Sequence, residues 1–230
     1  MKQPNVVFLM VDQHNAKCLG CYGSQHVHTP NLDALASRGV RFTSAYTQCP
    51  ICSPSRMCYL TGQYAHNHGY FGLRGPRPIQ LPNLFSHFKG HGYHTAAIGK
   101  VHLPEGWIDP NCDFFCEAVF GRSRSMGESY EEFMRRHGIE DPEDEVTRNR
   151  LAVGQFLESI DGRPDWLPKE LSREGFSVSA ASEFVRNRPK DKPFLLWMSL
   201  SKPHPEYKPA QEFWDMYPEI PLPPSADDEP

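Results

Sequence analysis

Apolar residues come in short blocks along this chain, and most blocks are closed by polar residues. Asn5-Val6-Val7-Phe8-Leu9-Met10-Val11 is a nearly continuous apolar run of strand length, the pattern of a parallel strand covered on both faces; it ends in Asp12-Gln13-His14. Pro193-Phe194-Leu195-Leu196-Trp197-Met198-Ser199-Leu200 predicts a second buried strand, ending at Ser201-Lys202-Pro203-His204-Pro205. Tyr93-His94-Thr95-Ala96-Ala97-Ile98 predicts a shorter one, ending in Gly99-Lys100-Val101-His102. Val40-Arg41-Phe42-Thr43-Ser44-Ala45-Tyr46 alternates as a further strand would. Helices are predicted over 29–39, with Pro30 at the start and Gly39 as the stop, over 81–90, and over 175–188, where Val178, Ala181, Phe184 and Val185 fall at helical spacing. Three strands thus end in polar groups, and the rim beyond strand ends is where open α/β sheets place their sites.

The densest signal is Cys52-Ser53-Pro54-Ser55-Arg56-Met57-Cys58-Tyr59-Leu60-Thr61-Gly62. Ser53 is a favoured N-cap, Pro54 a favoured first helical residue, and Gly62 a helix stop. Cys52 is then expected just before a helix N-terminus, where free N–H groups and the dipole favour an anion. Arg56, one turn in, adds a fixed cation. On these residues alone, Cys52 reads either as an activated thiol or as a buried cysteine beside a capped helix.

Composition narrows the class. In 230 residues, 39% are hydrophobic and 23% charged, which describes a globular chain with one sizeable core. The net charge of −4 argues against a general nucleic-acid binder, so local cations would have to hold any anionic substrate. No apolar stretch reaches the ~20 residues that span a bilayer, so no membrane association is expected. No signal peptide precedes the first strand; the reading is cytoplasmic, or periplasmic or secreted if a signal had been removed. Seven cysteines exclude a complete disulfide framework. Cys18-Leu-Gly-Cys21 and Cys49-Pro-Ile-Cys52 form two CxxC pairs, so a non-catalytic zinc-binding protein is one alternative.

The Cys-x-Pro-Ser-Arg run followed by Leu-Thr-Gly resembles the signature of the type I, formylglycine-dependent sulfatases of the alkaline phosphatase superfamily. Thr29-Pro30-Asn31-Leu32-Asp33, the Gly39-Val40-Arg41-Phe42 run, Gly99-Lys100-Val101-His102 and Pro203-His204-Pro205 resemble further sulfatase elements, in the same order. The resemblance implies an α/β fold with a largely parallel central sheet and helices on both faces, truncated before the C-terminal half. It implies that 1–230 is the N-terminal part of a single catalytic domain, with 103–175 a loop and helix insertion.

The resemblance also implies the chemistry. Cys52 would be converted to formylglycine by a formylglycine-generating enzyme. Asp12 and Gln13, with residue 52, would hold a divalent cation, Ca²⁺ or Mg²⁺, as suits a carboxylate beside an amide oxygen. Arg56, Lys100, His102 and His204 would be catalytic, and His68 and Lys202 would contact a sulfated small molecule or sugar. Sulfatases commonly carry two adjacent acids where this chain has Asp12-Gln13, so a phosphonate or phosphate ester hydrolase of the same superfamily is a second alternative. His66 and His68, two apart, cannot share a helix face; a loop pair touching substrate and a solvated pair both stay open. Arg122 and Arg124 are candidate anion contacts from the insertion.

Overall fold

The computed structural model describes residues 3–73, 81–119, 128–141, 143 and 162–217. Among them a four-stranded, wholly parallel sheet is built from β1 (Val6–Val11), β2 (His94–Gly99), β3 (Phe114–Glu117) and β4 (Phe194–Leu200), in the order β1-β4-β2-β3. Because the strands are parallel, all their carboxyl ends open on one edge. Asp12, Lys100, His102 and His204 all follow strands that end there.

Alternation along the strands sorts the side chains into two cores. Ala96, Ile98, Cys116, Phe194 and Leu196 face one way, and Ala97, Phe115, Leu195 and Trp197 the other. The first face is covered by α5 (Tyr130–Arg136) and α6 (Arg173–Asn187), through Tyr130, Phe133, Met134, Phe176, Ala180, Ala181 and Phe184. The second is covered by α2 (Cys52–Thr61) and α4 (Leu84–Gly90), through Met57, Leu60 and Phe85. The expected layering, helices on both faces of a parallel sheet, is what is found. Each large apolar side chain among them, Leu, Ile, Met or Phe, contributes about 1.5–3 kcal/mol on leaving water, which makes these two cores the main source of stability.

Local sequence explains the boundaries. α6 begins at Arg173, two residues before the predicted start, because the Ser172 hydroxyl accepts from the Gly175 N–H at 3.0 Å. α4 carries a reciprocal cap between Asn83 and Ser86. α1 (Pro30–Ser37) has Pro at its start, as read from the sequence. α3 (Ala65–His68) is a single turn that takes in the two histidines expected in a loop.

Three readings are corrected. β1 is covered on neither side as fully as its apolar run suggested: it pairs with β4 alone among the described residues, and Val7 and Leu9 stay 58% and 50% exposed. Residues 40–46 are not a strand; Val40, Phe42 and Tyr46 are exposed, and the Phe42 carbonyl accepts from the Tyr22 hydroxyl rather than from a ladder. A strand needs an edge to pair with, and alternation cannot supply one. Finally, Phe114–Glu117, inside the stretch read as an insertion, joins the sheet as β3. Arg122, Arg124 and most of the helix-prone stretch 143–159 lie outside the described residues. Among the described residues, no helix is long and apolar enough to cross a membrane.

Candidate active site

Cys52 is the first residue of α2 and is half-buried. It is not preceded by a side-chain cap: Ile51 holds the cap position, and Ser53, expected to cap the helix, turns its hydroxyl to the His102 carbonyl at 2.8 Å. That bond fastens the mouth of α2 to the turn after β2.

Arg56, one helical turn on, is fully buried. Its guanidinium donates to the Lys100 carbonyl at 2.6 Å and the Ser199 hydroxyl at 2.9 Å, and it meets Asp12 Oδ2 at 3.2 Å. Lys100 Nζ lies 2.5 Å from the same carboxylate oxygen. Asp12, Arg56 and Lys100 are 7%, 0% and 3% exposed, so one carboxylate and two cations share a nearly dry pocket. Burial by itself would raise the Asp12 carboxyl. The Lys100 hydrogen bond and charge, with the Arg56 and His204 charges, outweigh it and hold Asp12 below the usual range.

His102 follows immediately. Burial, with the neighbouring Lys100 and Arg56 charges, pushes its imidazole down to about 4, against the opposing pull of Asp12. It is therefore neutral near pH 7. The loop after β4 carries His204, whose Nδ1 lies 2.8 Å from the Pro205 carbonyl and so leaves Nε2 for other partners. His204 follows β4, which lies between β1 and β2, so it emerges at the strand edge that carries Asp12 and His102. Gln13 and His102, both at strand ends, adopt left-handed backbone conformations with φ of 58° and 49°. Such conformations in non-glycine residues concentrate at functional sites.

The carboxylate of Asp12 and the exposed amide of Gln13 are hard oxygen donors, the chemistry that suits Ca²⁺ or Mg²⁺. Both ion pairs of Asp12 fall on Oδ2. Among the described residues, no three or more His, Cys, Asp or Glu side chains gather as a metal-ligand set, and the two CxxC pairs do not form one. The donors present fit a hard cation but make only part of its shell.

Two expected contacts lie differently. His68 is buried, its Nε2 3.3 Å from Cys58 Sγ and its Nδ1 accepting from the Tyr70 N–H at 3.1 Å. Burial lowers its pKa, and both ring nitrogens are engaged within the protein, so it packs rather than faces substrate. Lys202 turns its ammonium to the Glu206 carbonyl, within its own loop.

Residues that sequence reasoning missed hold these groups in place. Ser199 accepts from Arg56, Glu117 accepts from the Val101 N–H, and Glu174 accepts from the Ser201 hydroxyl and the Lys202 N–H. Glu206 pairs with Arg163. An acidic residue ending the apolar Phe114-Phe115-Cys116 run was the only available signal for Glu117.

Residues 4–220 match the Sulfatase protein-family model. The chain belongs to the sulfatase family. It is similar to the arylsulfatase of Clostridium perfringens, with 33% identity over 96% of this chain and 47% of that protein. Among solved structures, it resembles a protein in complex with its substrate D-glucosamine-2-N,6-O-disulfate, with TM-score 0.69 and 24% identity over 98% of this chain and 40% of that one. The phosphonate monoester hydrolase of Agrobacterium radiobacter shares the fold, with TM-score 0.69 and 22% identity over 93% of this chain and 44% of that one. The sulfatase chain described here thus spans about half the length of the relatives it matches.

Proposed function

We propose that residues 1–230 are the N-terminal part of a single sulfatase catalytic domain, and that this domain hydrolyses a sulfate ester. The observation that carries the reading is the shared pocket: the Asp12 carboxylate under two buried cations, with a neutral His102 beside the helix mouth that bears Cys52. Sulfated sugars are the favoured substrate class, since one similar protein was solved with a sulfated glucosamine as its substrate.

Residue 52, matured to formylglycine by a generating enzyme, would supply an oxygen nucleophile at the mouth of α2. A divalent cation held by Asp12, Gln13 and residue 52 would supply the charge that favours that oxygen in its reactive form. Arg56 and Lys100 supply fixed positive charge that stabilises the formylglycine and the sulfate oxygens; fixed charges in a dry site contribute strongly because they need no reorganisation. His204, with Nδ1 donating to Pro205, leaves Nε2 as the atom from which the departing alcohol oxygen would receive a proton. His102, neutral at pH 7, takes up the proton that residue 52 must lose when sulfate leaves. Cation affinity follows ligand number, and the donors seen here are few, so the 230-residue chain by itself is inactive in this reading.

Gln13 favours one second reading. It places one negative charge fewer beside Asp12 than two acids would, which also suits a phosphonate or phosphate ester hydrolase of the same superfamily. Two measurements decide. The mass of the peptide containing Cys52 is expected to show aldehyde in place of thiol. The full-length protein is expected to prefer aryl sulfate over aryl phosphonate esters; the opposite preference selects the second reading, and an unconverted Cys52 with no turnover of either rejects both.

A further inference from the structure

We propose that Glu117 is a positioning residue for Lys100 and His102; this rests on the functional reading above. After β2, the Lys100 and His102 carbonyls and the Val101 N–H find side-chain partners rather than a neighbouring strand. Gly99 has φ of 94°, and a Cβ there would lie 2.1 Å from the Ser199 carbonyl oxygen, so the chain must bend tightly against β4. Lys100 still donates its N–H to Ser199 at 2.7 Å, and the Ala118 N–H reaches Gly99 at 3.0 Å. Beyond that point the ladder ends, while Val101 is only 4% exposed. Its N–H would be a buried donor without an acceptor, which costs about 1–3 kcal/mol.

The acceptor is the Glu117 side chain. Its two carboxylate oxygens lie 3.2 and 3.3 Å from the Val101 nitrogen, and Oε1 also takes the Val119 N–H at 3.3 Å. Glu117 is 5% exposed and pairs with Gly99 in the ladder, so its carboxylate is delivered from the neighbouring strand directly under the turn. A buried carboxylate in a strand is expensive unless it is hydrogen-bonded, and an apolar residue would fill the same layer at no such cost. What the glutamate adds is the fixed direction of the Val101 peptide. With Arg56 on the Lys100 carbonyl and Ser53 on the His102 carbonyl, it clamps each peptide of the turn. His102 is thereby held at φ of 49°, with Lys100 aimed at Asp12.

The test compares Glu117→Leu, Glu117→Asp and Glu117→Gln with the parent chain by NMR. Leu keeps bulk and loses acceptors, Asp keeps charge and loses reach, and Gln keeps reach and one acceptor oxygen. Expected are at least tenfold faster amide exchange at Val101 and displaced His102 ring resonances in E117L and E117D, both returning toward the parent in E117Q. A folded E117L or E117D with parent-like Val101 exchange and His102 resonances overturns the proposal. So does an E117Q no closer to the parent than E117D, a comparison that decides even if E117L does not fold. Sulfate-ester turnover by the full-length protein is measured separately: its absence counts against the functional reading, while the exchange result still decides the role of Glu117.

Discussion

The turn after β2 and the loop after β4 each bring a histidine to the same sheet edge, but they are held by different forces. The first is fastened through its peptide groups, by Arg56, Ser53, Glu117 and the Ser199 carbonyl, in a setting that water hardly reaches. The second is fastened through ionised side chains. Glu174 takes the Ser201 hydroxyl at 2.7 Å, and the Glu206 carboxylate meets Arg163 at 2.9 Å and Lys208 at 3.2 Å, with the Arg163 side chain 21% exposed. The contrast fits the proposed tasks. A base must stay neutral and still, which suits burial and peptide hydrogen bonds. A proton donor must meet different alcohols, which suits a wetter loop steadied by ion pairs.

Asp12→Asn tests the first side and has the largest expected effect. It leaves Arg56 and Lys100 buried without a countercharge, and breaking a buried pair in this way costs about 3–5 kcal/mol. The urea midpoint is expected to fall accordingly, with amide exchange rising around 99–102 before it rises around 201–208. A loss under about 1 kcal/mol would mean that the peptide bonds hold the turn without the carboxylate, and the comparison would need redrawing.

Much of this was legible from residue order. The runs ending in Asp12, His102 and His204 became three adjacent parallel strands, because periodicity and polar stops report local geometry directly. The Cys52–Gly62 stretch became a helix ending at Gly62, whose φ of 68° is the stop that glycine predicts. What failed were facts about partners. Whether Val7 and Leu9 are covered depends on what lies beside β1, and whether 40–46 is a strand depends on a free edge. The hydroxyl of Ser53 chose the His102 carbonyl over its own helix, a preference set 49 residues away. Glu206 was unreadable for the same reason, and Glu117 left only the faint signal of an acid closing an apolar run.

Glu206→Gln tests the second side with a smaller effect. Glu206 is 4% exposed, and neutralising it leaves Arg163 and Lys208 with weaker partners, so about 1–2 kcal/mol is expected. Amide exchange is expected to quicken in 201–208 while the turn at 99–102 is unchanged. Raising salt to about 0.5 M should reproduce part of that loosening in the parent, since only the partly exposed pairs are screened. Equal loosening of both regions would show that the two are one cooperative unit.

An effect of similar size, spread over a pH range, concerns acid. The folded His102 imidazole titrates at about 4, below the 6.5 of an exposed histidine. Above pH 6.5 neither state holds the proton, and His102 contributes no pH dependence. From there down to about 4 the unfolded chain binds a proton that the folded chain refuses, so stability falls as pH falls; below 4 the contribution is constant. After allowance for partial exposure, the loss is about 1–2 kcal/mol. His68 is lowered too, and Asp12 adds its own loss as pH drops through its lowered pKa, so the parent curve alone does not isolate His102. His102→Asn does, because asparagine tolerates the left-handed backbone and has nothing to titrate. Urea unfolding of both chains between pH 7 and 4 should show a shallower slope for H102N. Identical slopes would mean that His102 is solvated like any surface histidine, and the buried, peptide-clamped character of the turn would go with it.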